Sequence, residues 1–293
     1  MKLIKTLSYH FFDVLPTALQ NFLRGRKRAL RRKTVKKTAA SILDGELFPA
    51  LRELLLEETT PIMIHASAEF LNNAGVGLGE FNQLILESSH RRTVLMPTFP
   101  FEGLALHGLK ELAFDPKRTP SKMGIQTEIF RRSPGVERSI HPTHPVAAIG
   151  KLSKVLLADH HKSVLPFDSK SPFGKLDLFD GQILLVGVGL EVLTHVHVAE
   201  DYLGRGFPFP PYLPEVFRVA ISNSKPEMFV ETMVHNPKFS RLKNIGKLRS
   251  FFLQNNALEE RYVGGVIALQ ILNAPKTTET IIDLARRGIT IYD

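Results

Sequence analysis

The chain has 293 residues, 43% hydrophobic and 23% charged, which excludes a disordered chain and is enough for one large domain or two small ones. It contains no cysteine, so disulfides, thiolate-held metals and a cysteine nucleophile are excluded together, a composition that suits the cytoplasm. The formal charge of +9 invites a nucleic-acid partner, but eleven of the 38 basic residues and only Asp13 among the 29 acids fall in residues 1–40, so the remainder is close to neutral.

Within that first segment Leu3, Ile4, Leu7, Phe11, Val14, Leu15, Leu19, Phe22 and Leu23 recur at spacings of three and four, one apolar stripe on a helix kinked near Pro16. A basic cluster from Arg24 to Lys37 follows. No apolar run reaches the roughly 20 residues that span a bilayer, and no secretory signal is present. The pairing suits an interfacial membrane anchor, placing a cytoplasmic protein at the inner face of the membrane; it equally suits a helix docked on the body. The basic residues lack interleaved aromatics on which bases would stack, which argues against nucleic acid.

Residues 41–57 read as an amphipathic helix capped by Ser41. Ile62–Ile64 is a buried strand leading through His65, Ala66 and Ser67 into a helix start, and Phe81–Leu86 is helical. Thr93–Met96 is a second buried strand stopped by Pro97. An irregular stretch over 100–119 is long enough to be functional. Gln126–Arg131 suits a helix, Val146–Ile149 a strand, Lys151–His160 a helix and Pro166–Gly174 a turn region. Ile183–Val186 is a continuous apolar run closed by Gly187 and Gly189, as expected of a strand buried on both faces. Four prolines stiffen Phe207–Pro214; Val216–Ile221 and Phe229–Val234 read as strands, Arg249–Leu258 and Thr278–Arg287 as helices. Strands alternating with helices predict an α/β sheet covered on both faces. Without repeats or a linker after residue 40, one compact domain over 41–293 is expected.

The chemistry concentrates in histidine-bearing clusters: IHAS (64–67), IHPTHP (140–145), DHH (159–161) and THVHVAE (194–200). Neither HExxH nor DxDxG occurs, so a catalytic metal is not expected, although His195 with His197 and His141 with His144 have the spacing of ligand arms. Gly75, Gly77 and Gly79 do not make a nucleotide loop. Small residues at Ala66 and Ser67 suit phosphate at a helix N-terminus, or Ser67 is simply the cap. After the Ile183–Val186 strand, helical spacing puts Thr194 and His197 on one face with Glu200 or Asp201 and turns His195 elsewhere. A hydroxyl, an imidazole and a carboxylate then meet at a strand's carboxyl end, where open α/β sheets keep their chemistry.

In order, MPTF (96–99), SKMGIQTEIFRRSPGVERSIHPTHPVAAIG (121–150), SPFGKL (171–176), GQILLVGVG (181–189) and TxxHxxE (194–200) resemble the aminoglycoside 3-N-acetyltransferase family over about residues 60–205. The resemblance implies a mixed, largely parallel α/β sheet with helices on both faces in a single domain, acetyl-CoA as donor, and no metal. It implies His197 as general base toward an acceptor amine, with Thr194 near the thioester carbonyl or departing sulfur and Glu200 orienting the imidazole. It also implies Ser67, Thr98, Ser139 and His141 bordering the coenzyme A groove. A polycationic aminoglycoside calls for acids, of which Glu102, Glu111, Asp115, Glu200 and Asp201 are available, but the body is neutral and the chain basic. The expected acceptor is therefore the amine of an amino sugar, such as a nucleotide-sugar or surface-polysaccharide precursor. An aminoglycoside, with antibiotic resistance as the outcome, is the alternative; a non-catalytic relative that binds coenzyme A or a glycan is another. Peripheral membrane contact through residues 1–40 and a homodimer complete the expectations.

Overall fold

The computed structural model describes residue 42 and residues 45–109, 113–224, 226–240 and 242–292. In chain order these form α1 (Leu47–Glu57), β1 (Ile62–Ala66), α2 (Ala68–Asn73), α3 (Leu78–Ser88), β2 (Val94–Pro97), α4 (Ala105–Leu109), α5 (Ile125–Arg131), β3 (Glu137–Arg138), β4 (Val146–Ile149), α6 (Ser153–Leu157) and α7 (Pro172–Leu178). Next come β5 (Gln182–Val186), α8 (His197–Leu203), β6 (Phe217–Ile221), β7 (Met228–Thr232), α9 (Pro237–Ser240), α10 (Arg249–Gln254), β8 (Leu258–Val263), β9 (Val266–Asn273) and α11 (Ala274–Arg286). The amphipathic stripe and basic cluster expected in residues 1–40, and the Ser41 cap, lie outside the described residues. None of the described helices is long and apolar enough to cross a membrane.

Seven strands form one sheet in the order β3-β4-β2-β1-β5-β9-β8, with β6 and β7 paired separately. The mixed α/β sheet expected from the sequence is present. Its parallel part is narrower than the expected largely parallel sheet: β1 runs parallel to β2 and β5, while β4 on β2, β3 on β4, β9 on β5 and β8 on β9 are antiparallel. Only the centre is fully covered on both faces, and there the strands read as apolar runs. The outer pairs are made by short reversals instead. Gly264 and Gly265 both adopt positive φ between β8 and β9, as a tight hairpin requires. This hairpin corrects the helix expected over Arg249–Leu258, which ends at Gln254 and passes through left-handed Asn256 into β8. The helix expected over Lys151–His160 likewise shortens to α6, because left-handed Asp159 breaks it before a 3-10 turn at His160–Lys162.

Alternation along the central strands builds two cores. Ile62, Ile64, Val94, Met96, Leu184 and Val186 face one side, where α1, α2 and α3 supply Leu51, Leu55, Phe70 and Phe81. Met63, Leu95, Ile183 and Leu185 face the other, with Phe173 of α7, Ala199 of α8 and Ile281 of α11. Arg92, only 2% exposed, ties three elements at the strands' amino ends: it donates to Leu54 O (3.0 Å), Thr60 O (2.9 Å) and Gln182 Oε1 (2.8 Å). Burial lowers its pKa to about 10, so it stays charged at neutral pH, and its hydrogen bonds carry the desolvation cost.

Gly187 ends β5 with φ +59°, and a Cβ there would lie 2.0 Å from Cγ of Phe70. The turn out of β5 thus packs directly under α2, which brings the carboxyl ends of β1 and β5 together. Gly187→Ala combines left-handed strain with a clash against a core ring and should cost about 3 kcal/mol or more. Gly79→Ala, where a Cβ meets nothing within 4 Å, should instead be neutral or stabilise by up to about 1 kcal/mol. Urea unfolding of both variants against the parent checks the contrast.

Candidate active site

β1 and β5 are parallel neighbours, and the chain leaves β1 toward β2 on one side and β5 toward β9 on the other. Such a divergence opens a crevice beyond the carboxyl ends of the two strands. A cavity of about 720 Å³ lies there, lined by His65 and Ser67 after β1, Glu191 and Thr194 after β5, and His197, His235 and Lys243. Phe99, Phe101 and Phe167 give it an apolar wall, against which His144 packs edge-on.

Thr194–Val196 forms a 3-10 turn that runs into α8, whose first residue is His197. Thr194 and His197 therefore both line the cavity, as their spacing predicts. His195 turns away and bonds through Nε2 to Asp177 (2.8 Å) and Thr278 (3.2 Å). Glu200, one turn into α8 and 2% exposed, is the hub. Its Oε2 lies 2.8 Å from His197 Nδ1 and 2.9 Å from His235 Nε2, and its Oε1 accepts from the Tyr292 hydroxyl at 2.8 Å. A carboxylate can only accept, so both imidazoles donate to it. That fixes the His197 tautomer with the proton on Nδ1 and the lone pair on Nε2, which faces Nζ of Lys243 at 2.7 Å.

Burial alone would raise the Glu200 carboxyl, but the electrostatic pull and hydrogen bond of His197, with the bond from His235, hold it far below the usual carboxylate range. Burial pushes His197 down to about 3 against the pull of Glu200, and it lowers His235 and Lys243 as well. At neutral pH the cluster is one carboxylate, two neutral imidazoles and one ammonium. Asp201, the neighbour of Glu200, behaves oppositely: burial pushes it well up, and it accepts from Tyr212 O–H (2.5 Å) and Phe167 N (2.8 Å). It serves the wall, since the Phe167 ring lies 5.1 Å from that of His197.

Two polar atoms beside the cavity have no partner among the described residues, Oγ1 of Thr194 and Nε2 of His65; burial lowers the latter residue to about 4. Both are suited to meet a carbonyl or thioester. His197, Glu200 and His235 also form the one cluster among the described residues whose ligand atoms lie within 4.8 Å, the spacing of a cation site. As arranged, both imidazoles spend a proton on the same carboxylate oxygen, which makes a proton network of the cluster.

Of the four residues expected along a coenzyme A groove, only Ser67 reaches the cavity, and it also caps α2 by accepting from Phe70 N at 3.1 Å. Thr98, Ser139 and His141 are buried and do not line it. Thr98 donates to Pro145 O (3.0 Å) and accepts from Arg138 Nε (2.9 Å), Ser139 bonds Val146 N and His160, and His141 stacks on His160 with centroids 4.4 Å apart. Thr98 and Ser139 spend their polar groups bracing the loop between β3 and β4, whereas His141 accepts from His144 N through Nδ1 and its Nε2 has no hydrogen-bond partner among the described residues. None of the described acids expected to hold a polycation, Glu102, Asp115, Glu200 and Asp201, lines the cavity, and Glu111 lies outside the described residues; Glu191 is the carboxylate among the lining residues. His235, Lys243 and Tyr292 carry no local sequence signal and were not anticipated.

The profile of the family described as Aminoglycoside 3-N-acetyltransferase matches residues 63–284. Aminoglycoside N(3)-acetyltransferase IV from Salmonella sp. is 30% identical over 159 residues, 53% of this chain and 58% of its own length, so the chain spans a little over half of that relative. The fold matches aminoglycoside acetyltransferase AAC(3)-Xa with a TM-score of 0.68 at 16% identity, covering 89% of this chain and 99% of that one. It matches AAC-IIIb, solved with CoASH, with a TM-score of 0.64 at 18% identity over 88% and 97%.

Six histidines, His65, His141, His144, His160, His197 and His235, have pKa values lowered by the burial of their rings. Groups depressed on folding give their full stabilisation above the unfolded pKa of about 6.5 and lose it as pH falls toward their folded values. Each costs about 1.4 kcal/mol per pH unit in that window, and Asp201, shifted upward, acts in the opposite sense. The urea midpoint should fall steeply between pH 6.5 and about 4, the folded value of His65; an unchanged midpoint at pH 5 would contradict these buried neutral states.

Proposed function

The chain belongs to the aminoglycoside 3-N-acetyltransferase family, and from that premise we propose that it transfers the acetyl group of acetyl-CoA to an amine of an aminoglycoside. The observation that carries this reading is the His197 lone pair on Nε2, aimed into the cavity and fixed there by the Nδ1 bond to Glu200. The matches support the aminoglycoside acceptor, placed second on charge grounds, better than the amino-sugar precursor placed first.

In this reading the acceptor's ammonium loses one proton to solvent, and His197 Nε2 takes the second as the free amine attacks the thioester carbonyl. The Glu200 carboxylate, held by three donors, stabilises the imidazolium that forms without having to move. Thr194 Oγ1, which has no partner among the described residues, donates to the carbonyl as its oxygen gains charge. The imidazolium then protonates the departing thiolate. Acetyl-CoA supplies the activated acyl group, and Ser67 and the His65 edge of the cavity are proposed to border its thiol end. Thr98, Ser139 and His141 act on that end only through the loop they brace.

His197→Asn should lower thiol release by about 10²- to 10⁴-fold, and Thr194→Val by about 10²-fold, with unchanged far-ultraviolet circular dichroism. Dialysis against a chelator should leave turnover intact, since every step above relies on side chains of this chain alone; a loss restored by added zinc would point to the cation spacing of His197, Glu200 and His235 instead.

One observation keeps the amino-sugar precursor as a second reading: the lining residues include a single carboxylate, Glu191, few acids for the several ammonium groups of an aminoglycoside. Thiol release should be measured across aminoglycosides and nucleotide amino sugars. Turnover of aminoglycosides alone supports the first reading, turnover of nucleotide amino sugars the second, and coenzyme A binding without turnover would make the chain a non-catalytic relative.

A further inference from the structure

Lys243 is not needed by the steps above, yet it holds the position that the acceptor amine must take. Its backbone lies just before the 3-10 turn Ile245–Leu248, pinned where the neighbouring Asn244 N donates to Ile291 O at 2.7 Å. The residue as a whole is exposed, while its nitrogen reaches down into the cavity and stops 2.7 Å from His197 Nε2. Since Nδ1 donates to Glu200, Nε2 is the acceptor, and the contact is a primary ammonium donating to a general base. Among the described residues no carboxylate holds that ammonium. Both oxygens of Glu200 are engaged by His197, His235 and Tyr292, and among the described residues Lys243 makes no ion pair. Lys162, by contrast, pairs with Asp159, and Lys175 donates to two carbonyls. Burial lowers the Lys243 pKa, which increases the fraction present as free amine.

We propose that Lys243 is a self-acetylation site: with a thioester donor bound and no acceptor amine present, the chain acetylates its own ε-amine. The proposal rests on the acetyl-CoA reading above. The ammonium first loses one proton to solvent, and His197 Nε2 takes the second as the nitrogen lone pair attacks the thioester carbonyl. A C–N bond forms, the C–S bond breaks, and His197 returns the proton to the thiolate, leaving an Nε-acetyl amide and coenzyme A. Nothing is oxidised or reduced. An amide nitrogen is no longer a nucleophile, so the reaction runs once per chain, and it removes the ammonium from the cavity lining. An external acceptor competes with Lys243 for the same imidazole nitrogen, so acceptor supply decides which amine is acetylated.

The test incubates the full chain with acetyl-CoA alone and follows acetyl occupancy of individual lysines by peptide mass spectrometry. Exposed Lys276 reports the uncatalysed background. Lys243 should approach one acetyl group per chain at a rate about 100-fold above that of Lys276, and His197→Asn should bring it down to that background without changing Lys276. Lys243→Arg should remove the adduct. Labelling of Lys243 no faster than of Lys276 in the unmutated chain overturns the proposal, whether or not the variants fold. Thiol release with aminoglycosides, measured on the same preparation, separates the two readings. Turnover with Lys243 left unmodified sinks self-acetylation alone. Modified Lys243 without turnover sinks the aminoglycoside acceptor alone, and neither event sinks both.

Discussion

A single buried carboxylate organises this molecule's chemistry. Glu200 is taken out of water by α8, and a lone ionised carboxyl in that position would be prohibitively costly without donors. Three side chains from distant parts of the chain meet the need: His197 from the same helix, His235 beyond β7, and Tyr292 after α11. Each is then locked in orientation by the oxygen that it serves. The tautomer of His197, the closure of the β7 segment over the cavity and the docking of the residues after α11 are three aspects of one electrostatic requirement.

The sheet makes that requirement affordable. β1 and β5 deliver two parallel carboxyl ends side by side, and the absence of a side chain at Gly187 lets the turn after β5 lie against Phe70. The 3-10 turn at Thr194–Val196 then starts α8 with His197 already facing the crevice. Rigidity below the site comes from Arg92 at the far ends of the same strands, so position is set by buried elements and not by loops.

What the sequence revealed follows from how local each signal is. Strands at the centre of the sheet are buried on both faces and stand out as apolar runs, and Thr194, His197 and Glu200 fall within seven consecutive residues at helical spacing. The β8–β9 hairpin was missed because Glu259, Glu260 and Arg261 interrupt its apolar residues, leaving Gly264-Gly265 as the readable clue. His235, Lys243 and Tyr292 come to Glu200 and His197 across 35, 46 and 92 residues, and no periodicity links them. Thr98, Ser139 and His141 sit off the cavity for a different reason. Polar side chains near prolines look the same whether they bind a ligand or satisfy one another, and here the hydrogen bonds of Pro145, Arg138 and His160 consume Thr98 and Ser139.

The opposite protonation of the adjacent carboxyls Glu200 and Asp201 has a long-range effect. With Asp201 pushed toward its neutral acid and both imidazoles uncharged, the one negative charge of Glu200 is matched by the ammonium of Lys243 a few ångströms off. To a solute more than about a Debye length of 8 Å away in physiological salt, such a pair is close to a dipole, and its field has largely died out. The reaction centre therefore does little to draw a charged acceptor in from solution. Encounter is governed by diffusion and by the shape of the aromatic wall, with an association rate that barely responds to ionic strength unless charges elsewhere on the surface provide the steering.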